Sequence, residues 1–175
     1  MTLTKVLGLA VLLASSPLAI AAAPAAPVTT GAPAADHVKP VHDMLAAMQA
    51  EKLMRSIAGA SRFANEEQRK GVFAKLDKVP PAQIYQRLAA PVARLVSAET
   101  ALEMTRFYLS TYGQKVLKQT YNSGPSYVNN DPVPTAAERK ELKRPEYLKA
   151  HKAFLEAETG IRHEGFVLLQ AISKR

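Results

Sequence analysis

The chain contains no cysteine, which excludes disulfide bonds, thiolate metal sites and a cysteine nucleophile. We also expect no lipoprotein, because lipid attachment at a mature N-terminus requires a cysteine thiol. The stability of the fold must therefore come from a packed apolar core alone.

Signatures of catalysis and of cofactor binding are also missing. No serine stands in a Gly-x-Ser-x-Gly elbow, and the chain has no glycine-rich phosphate loop. His163-Glu164 lacks the second histidine that a helical zinc protease motif requires, and His37 and His42 do not have metal-ligand spacing. The sequence thus predicts no catalytic residue, no metal and no cofactor, and it favours a protein that is not an enzyme.

No apolar run is long enough to span a membrane. The run over 6–14 follows Lys5 and is interrupted by Ser-Ser-Pro at 15–17, whereas a spanning helix needs roughly 20 predominantly apolar residues. Alanines within 18–23 then provide a site for signal peptidase. We expect a signal peptide over 1–23 that is cleaved on export to the periplasm or the cell exterior. An uncleaved membrane anchor is the alternative.

Residues 24–35 contain three prolines and, apart from Val28, no large side chain. Such a segment cannot bury enough apolar surface to offset the entropy of ordering it. We predict a flexible linker over 24–35 and a single domain over 36–175, because the remaining length suits one hydrophobic core.

From residue 36 onward, apolar residues recur at every third or fourth position, and no alternating strand pattern competes with this period. The sequence therefore predicts an all-α fold, a small bundle of about six helices with a long C-terminal helix. The predicted helices run over 36–49, 50–60, 65–79, 81–96 and 97–120, followed by a short helix capped by Thr135 and a long one from 145 onward.

Caps and prolines indicate where these helices begin and end. A change of apolar phase predicts a break near Gln49, and a straight helix buried on both sides is the alternative. Asn65 before acidic residues predicts an N-cap. Pro91 should kink its helix because proline removes a backbone donor. Pro145 is suited to the first turn of the last helix, in which a bend is allowed at Gly160.

The stretch 107–117 carries a spaced motif formed by Phe107, Tyr108, Ser110, Gly113 and Lys115. This motif resembles the periplasmic helical family known as domain of unknown function twenty fifty-nine, and the resemblance covers roughly 41–119. It implies an exported helical bundle, and it implies no established reaction, cofactor or ligand. The five motif residues are candidate binding residues. Helix–helix packing by the same side chains is the alternative.

The chain departs from the family at one position of this motif. The family commonly has proline after the serine, and Thr111 stands there in this chain. Since the apolar stripe of 97–120 is also uninterrupted, we expect one straight helix through this segment.

The formal net charge is +8, which favours contact with anionic lipid, cell-wall polymer or an acidic partner. The densest positive region consists of Arg139, Lys140, Lys143, Arg144, Lys149 and Lys152. This region is a candidate anionic-surface site, and a solvated helix face is the alternative. We expect no nucleic acid partner, because an exported protein would not meet one outside the cytoplasm. In addition, the aromatic residues that stack on single-stranded bases are not interleaved with this region.

His151 and Glu158 lie on the apolar stripe of the last helix, and Arg162 follows Glu158 at the spacing of a helical ion pair. A hydrolase that uses His151 and Glu158 is the least favoured hypothesis, because the chain offers no nucleophile for it. The leading hypothesis is a non-enzymatic periplasmic binding module for an envelope protein, a peptide or a lipid. The second is a basic protein that docks peripherally on anionic lipid or cell-wall polymer.

Overall fold

The computed structural model describes residues 35–122 and 131–174. Within them there are eight helices and no strand, so the predicted all-α fold with a long C-terminal helix is confirmed. The helices are α1 (Ala35–Ala47), α2 (Ala50–Ala60), α3 (Glu66–Asp77), α4 (Pro81–Val92), α5 (Ala98–Leu109), α6 (Thr111–Asn122), α7 (Ala136–Glu141) and α8 (Pro145–Ser173). The predicted signal peptide and all but the last residue of the predicted linker lie outside the described residues. None of the helices in the described part is both long and apolar enough to cross a membrane.

The core lies where α1 packs against α4 and α5, and where α8 packs along α2, α3, α4 and α5. The most deeply buried large side chains are Val41, Met44 and Leu45 of α1, Met54 of α2, Ile84, Leu88 and Val92 of α4, Met104 of α5 and Ile161 of α8. Within α1 and within α4, a spacing of three or four residues places these side chains on one face of the helix. Full burial of one such side chain stabilises the fold by about 1.5–3 kcal/mol.

Gln49 separates α1 from α2, as the change of apolar phase predicts. Its backbone is left-handed with φ at 58°, a conformation that is uncommon for residues other than glycine. The N–H of Gln49 donates to the carbonyl of Ala46 at 3.1 Å, and the N–H of Lys52 donates to the carbonyl of Gln49 at 2.8 Å. These bonds close a corner, so α2 leaves the direction of α1 and packs against α8.

Three predicted helix starts are confirmed, two of them by capping contacts and one by a proline in the first turn. The side chain of Asn65 accepts a hydrogen bond from the N–H of Gln68 at 2.8 Å and caps α3. Thr135 and Glu138 form a reciprocal capping box at the start of α7. Pro145 is the first residue of α8, where its missing N–H costs no intrahelical bond.

The fourth helix ends earlier than predicted. We expected a kink at Pro91 within a helix that runs to 96, but α4 stops at Val92. The following N–H groups form tighter turns, in which Arg94 donates to the carbonyl of Pro91 at 3.2 Å and Leu95 to that of Val92 at 2.9 Å. Pro91 thus lies in the last turn of α4, where it has no N–H to donate to the carbonyl one turn earlier, and tighter turns replace the predicted continuation of the helix.

The prediction of one straight helix over 97–120 is wrong. Helices α5 and α6 are separate and meet at Ser110, whose backbone is extended with φ at −70° and ψ at 159°. The hydroxyl of Ser110 accepts from the N–H of Gly113 at 3.0 Å and donates to the carbonyl of Phe107 at 2.6 Å. Ser110 thus satisfies one backbone group at the end of α5 and one at the start of α6, and the corner forms without proline.

Gly113 allows this corner to close tightly. A Cβ atom at this position would overlap with the backbone carbonyl of Phe107, so any larger residue would push α6 away from α5. The side-chain amide of Gln114 adds a further contact by donating to the carbonyl of Tyr108 at 2.5 Å. Two of the five motif residues, Ser110 and Gly113, thus build the α5–α6 corner.

Candidate ligand-binding cleft

A cleft of about 500 Å³ lies between α6 and α8, and we call it the α6–α8 cleft. Its walls include Tyr112, Val116 and Thr120 from α6 and His151, Leu155 and Glu158 from α8. Its floor includes the buried side chains of Met104, Phe154 and Ile161. The space is open because the corner directs α6 mainly against α5 and α2.

The wall from α8 extends over most of the cleft. Tyr147, His151, Leu155, Glu158 and Arg162 line it, and steps of three or four residues place them on one side of the helix. At a rise of 1.5 Å per residue, this wall is about 22 Å long. The cleft is thus elongated along the axis of α8.

Five aromatic rings lining the cleft contact one another. The centroid of the Phe107 ring lies 5.1 Å from that of Tyr108, 6.3 Å from that of Tyr112 and 5.2 Å from that of Tyr147. The ring of His151 stacks on that of Tyr147 at 5.3 Å. Such ring pairs add about 0.5–1.5 kcal/mol each beyond their buried area, so they hold one end of the cleft in a fixed shape.

Tyrosine hydroxyls supply neutral hydrogen-bond donors in this cleft. Burial raises the pKa of Tyr147 to about 12 and also raises the pKa values of Tyr108 and Tyr121, so these groups stay protonated at neutral pH. The hydroxyl of Tyr121 donates to the carbonyl of Met48 at 3.0 Å and ties α6 to the end of α1. Those of Tyr108 and Tyr147 make no hydrogen bond within the described ranges and can donate to a ligand.

His151 and Glu158 both line the cleft, but they do not pair with each other. Glu158 accepts from Nε of Arg162 at 3.0 Å, as the helical spacing predicts, whereas His151 contacts the ring of Tyr147. A nucleophilic mechanism needs a nucleophile within hydrogen-bond reach of its base, and no described hydroxyl bonds to His151. The geometry therefore lends no support to the hydrolase hypothesis.

The five motif residues have different positions relative to the cleft. Phe107 and Tyr108 line it, whereas Ser110 and Gly113 form the corner that orients α6. The amine of Lys115 donates to a carboxylate of α7 at 2.9 Å. Phe107 and Tyr108 are thus placed to contact a ligand in the cleft. The other three candidate binding residues fix the position of α6, which forms one wall of the cleft.

A second cavity of about 330 Å³ lies between the α5–α6 corner and α7. It shares Phe107 and Tyr147 with the α6–α8 cleft. It also brings Ser110 of the motif together with Lys140 and Arg144 of the predicted anionic-surface region. These two sets of residues are distant in the sequence, and no periodic pattern predicts that they meet.

Two of the six predicted anionic-surface residues are occupied by ion pairs. Arg144 contacts Glu103 at 2.6 Å, and this carboxylate raises the pKa of the guanidinium. Lys149 contacts Glu99 at 3.1 Å. Both pairs join α8 or the residue before it to α5, so these charges serve contacts between helices.

The other four residues of that set have no carboxylate partner in the described part of the chain. Arg139 donates to the backbone carbonyl of Pro134 at 2.7 Å. The amines of Lys140, Lys143 and Lys152 are exposed and unpaired there. The free positive charge of this region therefore comes mainly from three lysines.

Most residues of the cleft could not be assigned to it from the sequence. Tyr112 and Val116 lie on a predicted apolar stripe, but a stripe does not show that space remains between two helices. One signal was present in α8, where Leu148 and Leu155 lie beside the buried stripe. They are 53% and 51% exposed and line the cleft, and such excess apolar surface is typical of binding grooves.

Among the described histidines, aspartates and glutamates, no group of three lies close enough together to hold a metal ion. Comparison of the chain with models of protein families, with curated proteins and with solved structures finds no significant match. Over the described ranges, the fold and the site thus define an all-helical bundle with an open, aromatic-walled cleft beside α8.

Proposed function

We propose that the protein is an exported, non-enzymatic binding module that holds an apolar or amphipathic ligand in the α6–α8 cleft. The observation that carries this proposal is the cleft itself. Its volume of about 500 Å³ falls within the range of about 300–1,000 Å³ that small-molecule sites occupy. Export remains part of the proposal on the strength of the apolar run and the small residues near the N-terminus.

The composition of the walls favours an apolar ligand. Leu148 and Leu155 are about half exposed in the cleft, although full burial of a leucine gains about 1.5–3 kcal/mol. A ligand that covers both would recover roughly half of that gain at each residue. The neutral hydroxyls of Tyr108 and Tyr147 add donors that can orient a polar group.

The geometry of the corner is compatible with the family resemblance and supports it. Thr111, which stands where the family commonly has proline, is the first residue of α6. The first helical position is the one at which proline is favoured. Membership in that exported helical family is therefore part of our proposal.

Fluorescence titration with the apolar dye N-phenyl-1-naphthylamine tests the binding function. Thr120 is exposed and lines the cleft, so Thr120→Trp should fill part of it and weaken dye binding at least fivefold. Lys118 lies on the same helix, is exposed and does not line the cleft, so Lys118→Trp is the matched control and should bind dye like the parent. Equal binding by both variants, or a parent that binds neither this dye nor another apolar ligand in calorimetric titration, would contradict the proposal.

A second function is supported by the unpaired lysines. Lys140, Lys143 and Lys152 can approach an anionic surface without losing an ion pair, and each contributes about 1 kcal/mol near such a surface. Sedimentation with phosphatidylglycerol vesicles or with cell-wall polymer should decrease when these three are replaced by glutamine. It should also decrease as salt rises, because exposed charges are screened. Binding that is insensitive to salt and to the replacements would rule this function out.

A further inference from the structure

We propose that the occupant of the α6–α8 cleft is a long-chain fatty carboxylate, with its chain along α8 and its carboxylate at Arg162. This inference rests on the proposed binding function and specifies the class of ligand. It follows from three features: the shape of the cleft, a floor that offers no hydrogen-bond partners to the backbone of a peptide, and N–H donors of Arg162 that its ion pair leaves unused.

The cleft is long and narrow. A volume of about 500 Å³ in which the centre of a water molecule can lie, distributed along a wall of about 22 Å, corresponds to a mean cross-section of roughly 23 Å². Adding the water radius of about 1.4 Å on each side gives a channel about 8 Å wide between its walls. An α-helix with side chains is about 10–12 Å across, so a partner helix would not fit between α6 and α8. A polymethylene chain does fit, since carbon atoms pack at about 4 Å from their neighbours.

The floor of the cleft disfavours slender ligands that carry many polar groups. An extended peptide would bring an N–H and a carbonyl at every residue, and each needs a partner once it is buried. Met104, Phe154 and Ile161 form the floor and offer none. The same holds for the hydroxyls of a sugar chain. A hydrocarbon chain needs no hydrogen bonds there.

Arg162 provides a place for a negatively charged headgroup. It lies at the last position of the α8 wall, four turns from the aromatic end at Tyr147. Its Nε and one terminal nitrogen both face a single oxygen of Glu158, at 3.0 Å each. A guanidinium has five N–H donors, so the remaining donors of this half-exposed side chain can bind a carboxylate while the ion pair persists.

Displacement of bound N-phenyl-1-naphthylamine by palmitate tests the inference. Palmitate, below its aggregation concentration, should displace the dye. Hexadecanol, which has the same chain without the charge, should bind about tenfold more weakly, because a hydrogen bond to a charged group is lost. Along the series from decanoate through laurate and myristate to palmitate, each methylene that enters the cleft should tighten binding about fourfold.

Arg162→Gln isolates the role of the headgroup site. This variant should bind palmitate about tenfold more weakly and hexadecanol within about twofold of the parent. Arg69→Gln is the matched control, because Arg69 is also a half-exposed arginine in an ion pair within one helix. It should change neither affinity.

The possible outcomes separate this inference from the proposed function. If the dye binds in the cleft but palmitate does not displace it, the fatty carboxylate is the wrong occupant and the binding function stands. If palmitate and hexadecanol bind equally, or if Arg162→Gln and Arg69→Gln behave alike, the headgroup site is wrong. If neither dye nor palmitate binds in fluorescence or in direct calorimetric titration, both proposals fail.

Discussion

Helices α1, α4 and α5 are held together in a different way from helix α6. Where α1 meets α4 and α5, the contacts are made by fully buried apolar side chains such as Leu45, Leu88 and Met104. Helix α6 buries little apolar surface of its own, chiefly at Tyr112 and Leu117. The position of the helices in the first region, which we call the α1–α4–α5 core, depends on apolar packing. The position of α6 depends on other contacts.

Directed polar contacts fix the position of α6. Ser110 caps its start, the hydroxyl of Tyr121 binds the carbonyl of Met48 near its end, and Lys115 pairs with Glu138 of α7. Hydrogen bonds and ion pairs set direction without requiring that the surrounding space be filled. This difference explains how α6 can stand beside α8 at a defined distance and leave an apolar cleft between them.

The comparison is tested most strongly by truncating one leucine in the α1–α4–α5 core and one on the α8 wall of the cleft that α6 leaves open. Leu88 is 1% exposed in the α1–α4–α5 core, so Leu88→Ala should lower the free energy of unfolding by about 2–5 kcal/mol through lost burial and a new cavity. Leu155 is half exposed in the cleft, so Leu155→Ala should lower the free energy of unfolding by less than about 1 kcal/mol. The same variant should bind the apolar dye more weakly than the parent. Urea denaturation gives both values. Equal losses would show that the cleft wall belongs to the core.

The glycine at the corner should show the next largest effect. Gly113→Ala should destabilise the protein by about 3 kcal/mol, because the added methyl overlaps with the backbone of Phe107 and must displace α6. Gly71 lies inside α3 with no atom near its missing side chain. Gly71→Ala should therefore stabilise the protein by about 0.5–1 kcal/mol through backbone entropy alone. The opposite signs can be read from urea denaturation, and a harmless Gly113→Ala would refute the close approach.

The sequence predicts the α1–α4–α5 core better than it predicts α6 and the cleft. The core and most helix ends were predictable, because apolar period, Asn65, Thr135 and Pro145 act within one or two turns of the chain. The α5–α6 corner was not, since the apolar stripe keeps its phase across Ser110. The cleft was not either, because its width depends on where two helices distant in sequence come to lie.

Replacements at the α5–α6 corner should change the stability of the protein by smaller amounts and show how far the polar contacts there hold α6. Ser110→Ala removes the cap of α6 and should cost about 1 kcal/mol. Thr111→Pro should be neutral or stabilising by about 0.5 kcal/mol, because the extended backbone of Ser110, with ψ at 159°, suits the residue before a proline. Thr111→Ala serves as the control for loss of the threonine side chain. Thermal unfolding resolves these differences, and strong destabilisation by Thr111→Pro would mean that Thr111 is not a first helical residue.

The smallest expected effect concerns the ion pair that joins α6 to α7. The bond from Lys115, and then that from the N–H of Thr135, lowers the pKa of Glu138 to about 2. A carboxyl whose pKa is lowered by folding stabilises the native state above its unfolded pKa near 4.5, and the contribution disappears as pH falls from there toward 2. The difference in urea midpoint between the parent and Glu138→Gln should therefore be present at pH 7 and shrink across that interval.

Glu156→Gln, at an exposed glutamate of α8 without an ion pair in the described chain, controls for the loss of one charge. A difference for Glu138→Gln that is constant down to pH 2 would mean that α6 is held by its cap and by Tyr121 without help from this pair.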